Sequence, residues 1–213
     1  VRVMVPAGPP RPSKIIFLDR RPVTLAPGED NAAQSVSGVV RVNHPNGLVN
    51  MPGWKGSDAG WKKVVRCVQA LFAPFDVQVT DQLLTGDNFI RVAVGGRPKD
   101  LGVKDGNVTG LAPFNGHVIP RAVVFAFAAQ QRNDPRSVCE TIAMEVAHAY
   151  GLDHEYLCKD VMTYQSCGAR TFVDKDARCG EAKPRACQGG ALTQNSFRTL
   201  LGALGPHVAA PTP

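Results

Sequence analysis

Residues 144–154 read MEVAHAYGLDH, from Met144 through Glu145, His148 and Gly151 to His154. On a helix, Met144 and His148 stand four residues apart and therefore one above the other, with Glu145 projecting beside them. Gly151 then ends the helix. Glycine tolerates the left-handed conformation that turns the chain sharply, and such a turn swings His154 back toward the pair. Upstream, Asp134 is suited to cap the helix and Pro135 to occupy its first turn, so the helix is predicted from about Pro135 to Tyr150. Val138, Ile142, Val146 and Ala149 form one stripe, expected to face a sheet. Glu140, Met144 and His148 form the other.

Working outward, Lys14–Leu18 (KIIFL) is a short apolar run that suits a buried strand. From Asp58, the residues Trp61, Val64 or Val65, Val68 and Leu71 or Phe72 recur at helical spacing behind Ser57 or Asp58 as cap, which predicts an amphipathic helix. Phe75, Val77 and Val79 alternate with Asp76, Gln78 and Thr80, the period of a strand with one wet face. Phe89–Val94 (FIRVAV) and Val123–Ala128 (VVFAFA) predict further strands. Asn195 opens a last helix, with Phe197, Leu200, Leu201 and Leu204 on one face. Helices and strands alternate between Asn46-Gly47 and Asn115-Gly116 turns and other loops. Four prolines crowd residues 1–13, which predicts an extended arm outside any central sheet. Residues 14–205 are expected to form one compact domain, and residues 206–213 a tail.

The chain has 213 residues, 44% of them apolar and 20% charged, enough material for a core and too much apolar content for disorder throughout. No run of some eighteen apolar residues occurs, so no membrane-spanning helix is expected. The formal net charge of +6 permits an anionic partner, but no basic stripe interleaved with aromatics marks a nucleic-acid groove. Nucleic acid is not an expected partner. The six cysteines, Cys67, Cys139, Cys158, Cys167, Cys179 and Cys187, lack the paired C-x2-C units of zinc ribbons and suggest disulfides instead. Neighbour pairing favours Cys158–Cys167 and Cys179–Cys187, leaving Cys67 with Cys139. Six cysteines nevertheless allow 15 connectivities. Disulfides imply an oxidising, extracellular or secreted setting. The sequence opens at Val1 without a signal-peptide pattern, so any secretion signal lies outside it.

The stretch from residue 144 resembles the metzincin zinc-peptidase consensus H-E-x-x-H-x-x-G-x-x-H, which is followed by a methionine turn. Glu145, His148, Gly151 and His154 match, and Val161-Met162-Thr163-Tyr164 is similar to the methionine turn of astacins and serralysins. The resemblance spans about residues 14–205. It implies an α+β fold: a twisted mixed sheet with a backing helix, an active-site helix, and an irregular disulfide-bonded C-terminal part ending in a helix. It also implies an edge strand near Asn107–Leu111 that holds an extended peptide or protein substrate. In such a site zinc acidifies a water whose proton Glu145 accepts, Tyr164 steadies the oxyanion, and Met162 lies beneath the metal.

The first histidine of the consensus is replaced by Met144. Catalytic zinc uses three protein ligands and favours imidazole, carboxylate or thiolate. A neutral thioether is a poor substitute, so His148 and His154 remain as two firm ligands, Met144 is the weakest donor, and zinc binding is expected to be weakened. With this departure, the resemblance implies a secreted, monomeric metalloendopeptidase domain with a degenerate zinc site, hydrolysing peptide bonds weakly if metal binds. The alternative is a pseudoenzyme that binds peptide without cutting it. A Cu(I) site formed by Met144, His148 and His154 is a third reading. His117 and Glu140 are distant candidates for the missing ligand.

Overall fold

A computed structural model describes residues 11–208. Its main sheet has five strands, β1 (Ile15–Asp19), β5 (Gln78–Thr80), β6 (Ile90–Val94), β7 (Gly110–Leu111) and β8 (Val123–Ala126), in the order β5-β1-β6-β8-β7. The first four in that order run parallel and β7 runs antiparallel to β8 at the edge. A smaller sheet joins β2 (Val23–Pro27), β3 (Val36–Ser37) and β4 (Val49–Met51), and the short helix α1 (Gly38–Asn43) lies between β3 and β4 in sequence. The long helices are α2 (Asp58–Phe72) and α3 (Pro135–Ala149), and α4 (Ser196–Leu204) closes the described chain. The architecture is mixed α and β, with three disulfides.

The two-residue period of the central strands divides the core in two. Ile16 and Leu18, with Ile90, Val92, Val94, Val124 and Ala126, face a helical layer containing Trp61, Val64, Val68 and Phe72 of α2 and Val138, Ile142 and Val146 of α3. Phe17, Ala93, Val123 and Phe125 face the other way, onto Leu25, Val40, Val49 and Met51 around the small sheet. Strands covered on both faces must be nearly continuous in apolar residues, which is why they lack an alternating pattern. Ser57 caps α2 by accepting from the Gly60 N–H, and Cys67–Cys139 ties α2 to α3.

Several elements differ from the sequence expectation. Only Gln78–Thr80 of the alternating run pairs in the sheet. Phe75 is fully buried instead, packed against Phe72, Phe172 and Phe197 and bridged to Pro206. Every residue of α3 from Thr141 to Ala149 is buried, Met144 and His148 of the second stripe included. Gly110 of β7, Phe114, His154, Tyr164 and Arg170 line the cavities on the face that carries Met144 and His148. Ser13 belongs to the fold rather than to an arm: its hydroxyl donates to Asn88 and accepts from the Arg121 N–H, and its carbonyl accepts from the Tyr150 hydroxyl. His207 likewise donates its N–H to the Pro74 carbonyl. Residues 1–10 of the proposed arm and 209–213 of the proposed tail lie outside the described residues. Among the described residues, no helix is long and apolar enough to cross a membrane.

Candidate functional site

Helix α3 ends at Tyr150, and Gly151 follows with φ of +93°. A β-carbon at Gly151 would also come within 3.1–3.2 Å of the Gly116–His117 backbone, so glycine is required there by conformation and by space. The turn brings His154 against His148, with ring centroids 4.6 Å apart and planes at 83°. Their Nε2 atoms stand 3.0 Å apart.

The outer nitrogens are both committed. His148 Nδ1 lies 2.6 Å from the Leu152 carbonyl oxygen and His154 Nδ1 lies 2.8 Å from Glu181 Oε1. A carbonyl and a carboxylate can only accept, so each Nδ1 donates its hydrogen and the two Nε2 atoms face each other. Two lone pairs at that separation repel unless a proton or a cation joins them. Burial, with the neighbouring His154 charge second, lowers the His148 pKa to about 4, so this ring is neutral at physiological pH. A tetrahedral ion about 2.0–2.1 Å from each nitrogen would place the nitrogens about 3.3 Å apart, close to the spacing found.

The imidazoles open into a cavity of about 190 Å³ lined also by Gly110, Leu111, Ala112, Phe114, Glu145 and Tyr164. The His154 and Tyr164 rings are tilted against each other at 4.4 Å. Glu145 is buried, and desolvation alone pushes its carboxyl to about 8, so without a neighbouring cation it is protonated at pH 7. The edge strand presses directly on it. A β-carbon at Gly110 would fall 2.5 Å from Glu145 Oε1 and 2.7 Å from Thr141 Cγ2.

Met144 stands at the neighbouring part of the same cleft. It belongs to the apolar core and lines an adjoining cavity of about 370 Å³ with Asp105, Asn107, Thr141 and Arg170, which also reaches Gly110, Glu145 and Tyr164. Its place in the core cluster suits Met144 as a packing residue. Met162 is fully buried in the same core, its N–H donating to Asp160 Oδ1 and its carbonyl accepting from Glu155. Glu140 is engaged by Arg136 and Arg170, and His117 lies exposed in the Asn115 turn, so neither joins the imidazoles.

Sequence reasoning did not single out Asp153, Glu181 or Arg185. Arg185 grips Asp153 with both amino groups, at 2.6 and 2.8 Å, and reaches Glu181 Oε1 at 2.7 Å. Burial opposes ionisation of Asp153, but the Arg185 bonds and the Gln188 and His154 N–H groups outweigh it and hold the carboxyl near 2. The Arg185 bonds also bring Glu181 to about 2. Among the described residues, the group of potential ligand atoms lying within 4.8 Å of one another is Asp153, His154 and Glu181. The Arg185 guanidinium already supplies the positive charge there, so this acidic group needs no ion. A local signal did exist: Glu181 and Arg185 are spaced i,i+4 between Cys179 and Cys187.

The bridges are Cys67–Cys139, Cys158–Cys167 and Cys179–Cys187, the pairs that neighbour spacing favours. They are compatible with a secreted protein. No family model matches this chain, and no curated protein matches it.

Proposed function

We propose that this chain is a metzincin-like metalloendopeptidase domain, secreted, whose zinc site has been reduced to two imidazole ligands, His148 and His154. The observation that carries the reading is the pair of Nε2 atoms facing each other at 3.0 Å, with both Nδ1 atoms bonded to acceptors elsewhere. This donor set suits zinc, which when bound would supply Lewis acidity for a water and a peptide carbonyl. Glu145 accepts the proton of the attacking water and returns it to the leaving amine. Its raised pKa falls when a cation shares the cleft, which restores the carboxylate that base catalysis needs. The Tyr164 hydroxyl steadies the oxyanion. The outer edge of β7 aligns an extended substrate by main-chain hydrogen bonds beside the imidazoles.

Two protein ligands bind zinc more weakly than three. The experiment is metal analysis and casein cleavage by the parent chain and by Met144→His. Restoring the third imidazole is expected to raise both zinc affinity and cleavage at least about 10-fold, given that even outer partners of metal ligands are worth that much. Glu145→Gln in the same background should abolish the gain in cleavage while zinc is kept. If Met144→His gains neither zinc nor cleavage, the peptidase reading fails.

A second reading, a catalytically inactive pseudopeptidase that binds peptide, is favoured by the seating of Met144 in the core. It predicts zinc-independent capture of an extended peptide along β7.

A further inference from the structure

An imidazole serves as a metal ligand only through the nitrogen that carries no hydrogen, and the bond made by the other nitrogen decides which one that is. For His148 the helix end provides the bond, through the Leu152 carbonyl. His154 lies in an irregular segment, and its partner is the side chain of Glu181, 27 residues away in sequence.

Glu181 is itself held. Its Oε1 accepts from both His154 Nδ1, at 2.8 Å, and Arg185 Nη2, at 2.7 Å. Arg185 is anchored by its two-pronged grip on Asp153, which is 5% exposed and also accepts the His154 and Gln188 backbone N–H groups, each at 2.8 Å. The loop carrying Glu181 and Arg185 is closed by Cys179–Cys187, and the Gly180 N–H donates to the His154 carbonyl. The carboxylate is therefore fixed relative to the His154 backbone and to the His154 ring by separate contacts. A bidentate guanidinium–carboxylate pair gives geometric definition as well as energy.

We propose that Glu181, clamped by Arg185 and Asp153 within the Cys179–Cys187 loop, is a positioning residue that holds His154 in its Nδ1–H form and so aims the Nε2 lone pair at His148. This deepens the proposed metal site and rests on that reading for its purpose, while the tautomer itself is measurable without metal.

The test is long-range 1H–15N correlation on histidine-labelled, metal-free full chain, with zinc affinity measured by chelator competition on the same samples. In the parent, His154 is expected in the Nδ1–H form. Glu181→Ala should move it toward the Nε2–H form and weaken zinc binding by about 10- to 100-fold, the range for partners of metal-bound histidines. Glu181→Gln retains an acceptor oxygen and should keep the Nδ1–H form, recovering much of the affinity. A merely structural Glu181 would leave the tautomer unmoved. The proposal is overturned if His154 keeps its hydrogen on Nδ1 in Glu181→Ala, or carries it on Nε2 in the parent. If the parent takes up no zinc while Glu181→Ala still shifts the tautomer, the positioning role stands and the metal-site reading falls.

Discussion

Helix α3 and the segment from Leu152 to Gln194 each carry one imidazole of the pair, but opposite forces position them. His148 stands on a helix whose last nine residues are buried and whose other faces meet the sheet and α2. Its place is set by apolar packing and by the helix end. His154 stands in a segment with turns and isolated bridges in place of long strands, held by the Cys158–Cys167 and Cys179–Cys187 bridges and by Asp153, Glu181 and Arg185. Burial is nondirectional and supplies stability; charge-assisted hydrogen bonds supply direction at little net gain in stability. In this cleft the first fixes the platform that carries His148 and the second orients the His154 ring brought up to it.

The comparison breaks first if its apolar side is weakened. Phe72 is 1% exposed and packs edge-on against Phe75 and Phe172, so it joins α2 to the C-terminal segment. Phe72→Ala is expected to cost about 3–5 kcal/mol, seen as a lower urea midpoint for both regions together. If the C-terminal segment alone loosens, the shared core has been misjudged.

Arg185→Ala attacks the polar side. It leaves Asp153 buried without its counter-ion. Breaking a fully buried pair costs about 3–5 kcal/mol, and since Arg185 is 38% exposed a smaller loss of about 2 kcal/mol is expected. Hydrogen exchange should rise in residues 179–188 while α3 stays protected. The pH dependence follows from Asp153, held near 2 when folded against 3.8 as its ordinary value. Between these values the unfolded chain binds more protons, so this contribution is complete above about pH 4 and fades as the pH falls through 2. In Arg185→Ala, that acid-side loss should largely vanish from the urea-unfolding profile. An unchanged slope would contradict the ion-pair account.

The smallest effect concerns the contact between edge strand and helix. Gly110→Ala places a methyl group against Glu145 and Thr141, and either the strand or the carboxylate must give. A loss of about 1–3 kcal/mol is expected, together with weaker peptide binding at the β7 edge. A neutral outcome in both stability and peptide titration would show that the strand is free to move away.

What the sequence disclosed follows the same division. Strands β1, β6 and β8 and helices α2 and α3 were legible because each is an apolar run or a periodic stripe written in neighbouring residues. The approach of His148 and His154 was legible for the same reason, as the pair is six residues apart with Gly151 between them. The small β2-β3-β4 sheet and α1 were not foreseen, since VTLAP, VS and VNM contain no apolar run like those of β1, β6 and β8, and Pro22 and Pro27 suggest loop. The clamp on His154 was hidden because Glu181 and Asp153 meet their partners 27 and 32 residues away, and such pairs leave no mark in a local pattern. The burial of Met144 depends on contacts made beyond α3, which helical periodicity alone does not contain.

The most direct measurement is anomalous diffraction at the zinc edge from crystals of the full chain equilibrated with zinc. The account predicts one peak within about 2.0–2.1 Å of both His148 Nε2 and His154 Nε2. A peak beside Asp153 and Glu181 instead, or none between the imidazoles even in Met144→His, would contradict it.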